Sequence, residues 1–271
     1  MLNKLRKDTY FCRMQNVIEF KNTEIYFSSE GKGSTVLLLH GFLENSSMWT
    51  TIATELSKKN RVVCIDLLGH GNTGCLGYIH TMEEMAEVVN AVVMALRLRK
   101  VTLIGHSMGG YVSLAFAEKY ADKVKGLCLL NSTAQEDSEE RKELRLRACT
   151  MAQTNYEALV KMSISNLFAE VSREKFFNEI EEIKREALKT PVQGYMAATK
   201  GMRLRKNKEK VLQLIPKRLI ISGTNDPIIE ESFIKKEAER TKTPIVLLPL
   251  GHMSHVEAKE ALIYELKEFV K

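Results

Sequence analysis

The sequence predicts an α/β fold, in which a mostly parallel sheet is doubly wound by helices on both faces. Short, continuously apolar runs recur along the chain, as at residues 36–39 and 62–65, and such runs are typical of strands covered on both faces. After a short connection, most runs are followed by a longer segment in which apolar residues return every three or four positions, which indicates a helix. Repeated strand–helix units of this kind build a parallel sheet.

The first half of the chain gives these elements in order. Residues 17–20 and 25–27 predict a short opening hairpin. The strands predicted after it are 36–39, 62–65, 101–104 and 124–130, and the helices between them are 48–56, 85–96 and 111–120. The last of these helices is apolar almost all round, so we expect it to be buried.

The alternation stops at Asn131 and returns at residues 219–221 and 245–248, before a last amphipathic helix. Residues 134–215 are charged and helix-like, and we expect them to form a cap over the carboxyl ends of the strands, where open α/β sheets bind ligands. The predicted division is an N-terminal extension and first strand at 1–23, a core at 24–131 and 217–271, and a helical cap at 132–216.

Composition indicates a soluble globular protein. Of the 271 residues, 44% are hydrophobic and 27% are charged, which suits one α/β domain with an insertion. The net charge of +6 comes from interleaved charges, so we read it as a solubility feature and expect no nucleic-acid partner. A denser basic cluster at residues 203–208 has two interpretations, an anion site or, more simply, a solvated helix end.

Cysteine usage and the N-terminus favour a cytoplasmic location. The five cysteines are odd in number and include no Cys-x-x-Cys pair, which favours a reducing compartment. The basic N-terminus is followed by no apolar segment, because Asp8, Arg13 and Gln15 interrupt it, so we expect no signal peptide. No stretch is long enough to span a membrane, and the folded domain is expected to begin near residue 14. Oligomeric state does not follow from the sequence.

The segment from Gly105 to Gly109 carries the strongest chemical signal. It reads Gly-x-Ser-x-Gly between a predicted strand and a predicted helix, with Ser107 at its centre. A serine on such a sharp turn exposes its hydroxyl, and the glycines allow neighbouring backbone to approach closely. The simpler interpretation, a glycine-rich loop that contains a serine by chance, is disfavoured by this strand–turn–helix context.

A serine nucleophile needs a base and a group that orients the base. Asp226 follows the strand at 219–221, and His252 follows the strand at 245–248, so both are predicted at the same sheet edge as Ser107. Asp226 also precedes a proline, where an aspartate commonly serves as a turn former. His255 is an alternative base, but Gly251 lets the loop turn at once at His252, and His255 is expected to begin the next helix.

Acyl transfer also needs donors for the developing oxyanion. The backbone N–H of Met108, the residue after the nucleophile, is one candidate, and the N–H of Phe42, in the loop after the first parallel strand, is the other. His40, His70 and Asp66 lie at turns and are expected to shape loops. No Cys/His cluster or second carboxylate pair indicates a metal, and we expect no cofactor.

Together these motifs resemble the α/β-hydrolase superfamily, in its single-domain branch with a helical cap, from about residue 24 to the C-terminus. They are His40-Gly41-Phe42, Asp66-Leu67-Leu68-Gly69-His70-Gly71, Gly105-His106-Ser107-Met108-Gly109-Gly110, Gly223-Thr224-Asn225-Asp226-Pro227 and Gly251-His252. The resemblance implies Ser107 as nucleophile, Asp226 as acid and His252 as base. Leu68 departs from the family pattern, as does Ala258-Lys259, each where a proline is common.

The resemblance implies a carboxylesterase acting on esters of small to medium size. The alternatives are a C–C bond hydrolase, an enol-lactonase or a lyase like that of the menaquinone pathway, all with the same triad, or a ligand receptor without catalysis. Substrates that carry a carboxylate would require arginines in the cap to bind it, and the candidates are Arg147, Arg203 and Arg205. Apolar cap residues either line a pocket or, more simply, pack the cap together. These residues are Leu159, Ile164, Phe168, Phe176 and Met196.

Overall fold

The computed structural model describes residues 15–271. The expectations for Cys12 and for the start of the folded domain near residue 14 lie outside the described residues. Eight strands form one sheet, in the order β1-β2-β4-β3-β5-β6-β7-β8. The strands are β1 Gln15–Phe20, β2 Thr23–Glu30, β3 Thr35–Leu39, β4 Arg61–Ile65, β5 Val101–His106, β6 Val124–Leu130, β7 Arg218–Gly223 and β8 Ile245–Leu248.

The sheet is mostly parallel, which confirms the predicted fold class. Strands β1 and β2 form the predicted antiparallel hairpin, β2 pairs antiparallel with β4, and the remaining neighbours are parallel. Side chains of β3 point alternately to its two faces: Leu37 and Leu39 join one buried cluster, while Val36 and Leu38 join the other. A strand buried on both sides in this way has no polar face, and therefore reads as a continuous apolar run.

Helices pack on both faces of the sheet. Those outside the long insertion are α1 Thr50–Leu56, α2 Met82–Ala95, α3 Met108–Lys119, α9 Glu231–Thr241, α10 Ser254–Glu257 and α11 Lys259–Val270. Helix α2 begins three residues before the apolar pattern at Met85. Thr81 and Glu84 form a reciprocal capping box there, which satisfies two backbone N–H groups and fixes the start of the helix.

Between β6 and β7 the chain forms five α-helices, one short 3-10 helix at Glu170–Ser172 and no strand, all of it within the described residues. The five are α4 Glu139–Ala152, α5 Tyr156–Ser165, α6 Phe177–Ala187, α7 Val192–Leu204 and α8 Glu209–Leu214. They have an apolar cluster of their own, joined by Leu43 and Met253 from loops of the sheet. The apolar residues singled out in the sequence, from Leu159 to Met196, all belong to this cluster or pack against it, which agrees with the packing interpretation.

The insertion is held to the rest of the fold through backbone contacts. The N–H of Lys208 donates to the carbonyl of Ala134 at 2.7 Å, which joins its two ends. On α7, the carbonyl of Ala197 accepts from the N–H of His80 at 3.0 Å. A Cβ at Gly201 would lie 1.6 Å from the His80 carbonyl oxygen, so a side chain there would force α7 away. Every helix among residues 15–271 is too short or too polar to cross a membrane.

His70 lies fully buried in the turn after β4, where its Nδ1–H donates to the carbonyl of Leu68 at 3.0 Å. Burial, together with the nearby His40, lowers the pKa of His70 to about 3. The folded protein therefore keeps this ring neutral, while the unfolded chain takes up a proton below the ordinary pKa of about 6.5. Stability contributed by the neutral ring is lost as the pH falls from about 6.5 toward 3.

We expect His70→Asn, which keeps a donor near the Nδ1 position, to reduce this acid sensitivity. Between pH 7 and pH 5 the free energy of unfolding should fall by about 2 kcal/mol less in the variant than in the wild type. Urea unfolding at the two pH values measures the difference. An identical pH dependence in the two proteins would contradict the assignment of a neutral, buried His70.

Candidate active site

Three parallel strands bring the predicted residues to one edge of the sheet. Ser107 follows the end of β5, Asp226 follows β7, and His252 follows β8. Strands β5, β6, β7 and β8 are neighbours, so their carboxyl ends lie side by side. Residues far apart in sequence meet there, at the edge where open α/β sheets bind their ligands.

The backbone at Ser107 is strained. Its φ of 49° and ψ of −114° lie in a region that residues with a side chain rarely adopt. The conformation is held by hydrogen bonds on both sides: the N–H of Ser107 donates to the carbonyl of Leu130 at 2.9 Å, and the Ser132 hydroxyl donates to the Ser107 carbonyl at 2.7 Å. The turn thereby projects the Ser107 side chain away from the sheet, toward a cavity that it lines.

The turn also requires the two glycines that the sequence singled out. A Cβ at Gly105 would lie 2.3 Å from the carbonyl oxygen of Gly109, and a Cβ at Gly109 would lie 2.2 Å from the carbonyl oxygen of Leu39. These are backbone atoms that cannot move aside without displacing β3 or α3. Gly-x-Ser-x-Gly is therefore a packing requirement of the strand–helix connection at this point.

Asp226 and His252 form a buried pair. The Nδ1–H of His252 donates to Oδ2 of Asp226 at 2.8 Å, and Oδ1 of Asp226 accepts from the N–H groups of Ile228 and Ile229. Burial opposes ionisation of Asp226, but the His252 ring and the Asn131 amide outweigh it and lower the pKa of the carboxyl. The carboxylate thus fixes His252 with Nδ1 protonated, which leaves Nε2 as the nitrogen able to accept a proton.

Asn131 is a site residue that the sequence analysis did not identify. Its side-chain amide donates to Oδ2 of Asp226 at 3.0 Å and to the carbonyl of Gly251 at 3.3 Å. It therefore connects the loop that carries Asp226 with the loop that carries His252. Asn131 is the first polar residue after the apolar strand β6, and this position at a strand end could have identified it in the sequence.

Glu44 is a second residue that sequence reasoning missed. Its Oε2 accepts from the N–H of Gly41 and from Nδ1 of His106, both at 2.7 Å, and the Nε2–H of His106 donates to the carbonyl of His252 at 3.0 Å. Glu44 thus links the loop after β3, the residue before Ser107 and the His252 loop. In the sequence it stands three residues after Gly41, a spacing that suits a side chain bonding back to a turn.

The Glu44–His106 contact has the geometry of an ion pair, because both ring nitrogens of His106 face acceptor oxygens. Burial alone would raise the pKa of Glu44, but His106 and His255 lower it to about 2. Burial disfavours the imidazolium of His106, yet the Glu44 carboxylate and the hydrogen bond to the His252 carbonyl raise the pKa of His106. In the described part of the chain, Glu44, His106 and His255 bring possible metal-ligating atoms within 4.8 Å of one another. A metal ligand must be an imidazole with a free ring nitrogen, whereas both ring nitrogens of His106 already face acceptor oxygens, which suits an ion pair better than a metal centre.

The remaining histidines have other surroundings. His255 lies in α10 and lines a different cavity from Ser107, and burial lowers its pKa to about 4. His40 accepts from the N–H of Leu67 at 2.9 Å and donates to the carbonyl of Gly41 at 2.7 Å, so it joins two loops. Asp66 accepts from the N–H groups of Ser46 and Asn72, which agrees with a role in holding its turn.

The candidate oxyanion donors come from two segments, the start of α3 and the loop after β3. Met108 is the first residue of α3, and the first N–H groups of a helix have no partner within it. Phe42 lies in the loop that Glu44 holds at Gly41, and it lines the same cavity as Ser107 and His252. The cavity has a volume of about 120 Å³, below the roughly 300–1,000 Å³ common for ligand pockets.

The insertion takes part in the site. The N–H of His252 donates to the carbonyl of Leu167 at 3.0 Å, and the buried carboxylate of Glu257 accepts from the N–H groups of Ala169 and Met253 and from the Ser172 hydroxyl. The connection between α5 and α6 is therefore bonded directly to the His252 loop. Insertion residues also form part of the cavity wall, namely Arg141, Arg145, Ser163, Leu167 and Met202.

The arginines at this cavity differ from those considered in the sequence. Arg147 is exposed on α4, Arg203 lies outside the residues that line the cavity, and Arg205 lines a neighbouring cavity instead. Arg141 and Arg145 face the cavity because they stand four residues apart, on the same side of α4. The sequence could not indicate which side of α4 faces the sheet, because this highly charged helix has almost no apolar stripe.

Glu44→Gln is expected to lower the free energy of unfolding by about 3 kcal/mol at pH 7, because it leaves a buried His106 without its counter-charge. Urea unfolding measures the change. Glu157→Gln serves as the matched control, since it removes a carboxylate from an exposed ion pair with Lys161 and should change stability little. Equal effects of the two substitutions would mean that the buried pair contributes no more than a surface pair.

Comparisons with known proteins agree with this fold. A solved structure of a thermophilic esterase from Thermogutta terrifontis superimposes with a TM-score of 0.88 at 31% identity, covering 94% of this chain and 97% of that one. The enol-lactonase from Burkholderia xenovorans LB400 superimposes with a TM-score of 0.87 at 22% identity, covering 94% of this chain and 99% of the other, a likeness of fold.

Sequence relatives extend over most of the chain. The dihydrolipoyllysine-residue acetyltransferase component of the acetoin cleaving system of Pseudomonas putida is 31% identical over 91% of this chain, which spans 66% of that protein's length. Two uncharacterized mycobacterial proteins are 30% identical over 42% of this chain. The match spans 35% of their own length. 3-Oxoadipate enol-lactonase 1 of Acinetobacter baylyi is 23% identical over 93% of this chain and 94% of its own length. A family model described as the alpha/beta hydrolase fold matches residues 34–259, and the chain therefore belongs to that family.

Proposed function

We propose that this protein is a serine hydrolase of carboxylic esters, in which Ser107 is the nucleophile, His252 the base and Asp226 the carboxylate that orients the base. One observation carries the proposal. The hydrogen bond of 2.8 Å between Asp226 and His252 stands at the cavity that the strained Ser107 also lines. The esterase from Thermogutta terrifontis, which is similar over nearly its whole length, supports ester hydrolysis.

In the proposed first step, the Ser107 oxygen attacks the ester carbonyl carbon while Nε2 of His252 takes the hydroxyl proton. The imidazolium that forms is stabilised by the Asp226 carboxylate, which the fold keeps ionised. The C–O bond to the alcohol then breaks, and the alcohol leaves with the proton held by His252. Ser107 is left as an acyl ester.

The negative charge on the former carbonyl oxygen needs donors fixed in advance. The backbone N–H groups of Met108 and Phe42 serve as these donors in the proposed mechanism. Glu44 supports this arrangement, because it accepts from the N–H of Gly41, directly before Phe42, and from the ring of His106, directly before Ser107. Loss of one such donor typically raises the barrier by about 3 kcal/mol.

Water completes the cycle. His252, neutral again after the alcohol leaves, takes a proton from a water molecule that attacks the acyl carbon, and it then returns the proton to Ser107 as the acid departs. The helices at 132–216 act as a cap over the site in this proposal. A cavity of about 120 Å³ favours esters with small acyl or alcohol groups.

The proposal needs neither a metal nor a cofactor, and the substrate is a small molecule. We also propose a cytoplasmic setting. The described cysteines at positions 64, 75, 128 and 149 carry free thiols, which suits a reducing compartment.

A second candidate is the cleavage of an enol lactone, or another reaction of the same three residues, such as hydrolysis of a C–C bond in a diketone. The relative 3-oxoadipate enol-lactonase 1 favours it. Turnover of p-nitrophenyl acetate and butyrate supports the esterase, whereas turnover of a carboxylate-bearing lactone or diketone without ester hydrolysis supports the second candidate.

Ser107→Ala is expected to reduce kcat/KM for p-nitrophenyl acetate at least about 1,000-fold, because the variant has no nucleophilic hydroxyl. Release of p-nitrophenolate measures the rate, and thermal unfolding checks that the variant is folded. Ser232→Ala, on the exposed surface of α9, is the matched control and should retain wild-type turnover. Wild-type turnover in Ser107→Ala would refute the assignment of the nucleophile.

A further inference from the structure

Two arginines of the insertion stand at the cavity of Ser107. Arg141 and Arg145 lie one turn apart on α4, and both line the cavity with Ser107 and His252. The side chain of Arg141 is 40% exposed and that of Arg145 is 16% exposed. Ester hydrolysis as proposed above needs neither of them, so their position calls for a separate explanation.

The first explanation to consider is that they only neutralise Asp137, whose side chain is fully buried. Arg145 donates to both carboxylate oxygens of Asp137, through Nε and, at 3.4 Å, through Nη2. Arg205 lies 2.8 Å from the same carboxylate, and Nε of Arg141 lies 3.7 Å away. Burial would raise the pKa of Asp137, but Arg145 and Arg205 lower it. One ionised carboxylate therefore faces three guanidinium groups.

Arg205 has further partners of its own. It is almost fully buried, it donates to the carbonyls of Met202 and Gln135, and its guanidinium lies 4.0 Å from the centre of the Tyr111 ring. One carboxylate cannot balance three guanidinium groups, so the cavity wall that Arg141 and Arg145 line carries excess positive charge.

The other nearby acids are already engaged. Glu44, which lines the cavity, is paired with His106, and Asp226 is paired with His252. In the neighbouring cavity, which shares Arg141 and has a volume of about 570 Å³, Glu136 and Glu139 pair with Lys142. These carboxylates leave the two positive charges of α4 available to a ligand.

Both guanidinium groups also keep donors free. Arg141 uses Nη1 to reach the carbonyl of Ile228 at 3.0 Å, and Arg145 uses Nε and Nη2 for Asp137. Among residues 15–271, no hydrogen bond is made by Nη2 of Arg141 or by Nη1 of Arg145. Planar guanidinium donors match the geometry of a carboxylate, and a hydrogen bond between charged groups is stronger than one between neutral groups.

We propose that Arg141 and Arg145 bind a carboxylate carried by the substrate, so that the preferred substrate is a short ester or lactone with a free carboxylate near the scissile carbonyl. This inference rests on the proposed function, which specifies that Ser107 cleaves the C–O bond of an ester or lactone. The small cavity limits the distance between the substrate's carboxylate and its scissile carbonyl, because the arginines and Ser107 line the same space.

A pair of matched esters tests the preference. 4-Nitrophenyl hemisuccinate and 4-nitrophenyl butyrate share a leaving group and differ in a terminal carboxylate against a methyl group. We expect the wild type to favour the hemisuccinate in kcat/KM, after subtraction of its spontaneous hydrolysis, which its own carboxylate accelerates. Arg141→Gln and Arg145→Gln should each reduce this preference on the order of 10- to 100-fold, mainly through KM. Arg147→Gln, on the exposed side of the same helix, is the matched control and should leave the preference unchanged.

A binding measurement separates this inference from the proposed function. At constant ionic strength, succinate should raise the Tm of the wild type and of Ser107→Ala, but not that of Arg141→Gln. Arg141 lies farther from Asp137 than Arg145 does, so its substitution keeps the test valid if Arg145→Gln fails to fold. If Ser107→Ala abolishes ester hydrolysis while Arg141→Gln leaves both the preference and the succinate shift unchanged, the carboxylate site is refuted and the serine hydrolase stands. Persistence of the succinate shift without any Ser107-dependent ester hydrolysis refutes the proposed function instead.

Discussion

The buried ion pair between Glu44 and His106 is the interaction on which the arrangement of the site depends. The Glu44 carboxylate accepts from the N–H of Gly41 in the turn after β3. His106, the residue before Ser107, donates to that carboxylate and to the carbonyl of His252. Three loops from three strand ends are thereby fixed relative to one another by charged hydrogen bonds, away from water. A buried pair of this kind is worth retaining for the geometry it specifies, since its net contribution to stability is offset by desolvation.

The strained turn at Ser107 depends on the packing of the strands around it. A residue at φ 49° and ψ −114° costs on the order of 1–3 kcal/mol and persists only where the surroundings determine it. Here β3 and α3 approach through Gly109, and β6 supplies the carbonyl of Leu130 that accepts from the Ser107 N–H. The strain therefore rests on the packing of the sheet as a whole, which holds the backbone at Ser107 in one conformation before any substrate binds.

The sequence predicted the sheet and the edge residues because their signals are local. Apolar runs such as residues 36–39 reveal strands buried on both faces, and Ser107, Asp226 and His252 each lie within five residues of the end of such a run. Glu44, Asn131 and the arginines of α4 escaped prediction because their roles depend on tertiary contacts between segments 62 to 95 residues apart, or on the rotation of a helix. Charged residues cover nearly the whole circumference of α4, so its pattern carries no information about which side faces the cavity.

The hydrogen bond from His252 to the Leu167 carbonyl, with the contacts of Glu257 to the following segment, limits how the insertion can be exchanged. The loop that carries His252 takes part of its own conformation from the insertion. A chimera that replaced residues 132–216 with helices from a relative would have to retain the segment from Leu167 to Ser172, or the imidazole would lose its backbone anchor. Residues that shape the cavity wall and residues that anchor His252 would therefore be exchanged together, and substitutions on α4 would alter the wall with less disturbance of His252 than replacement of the whole insertion.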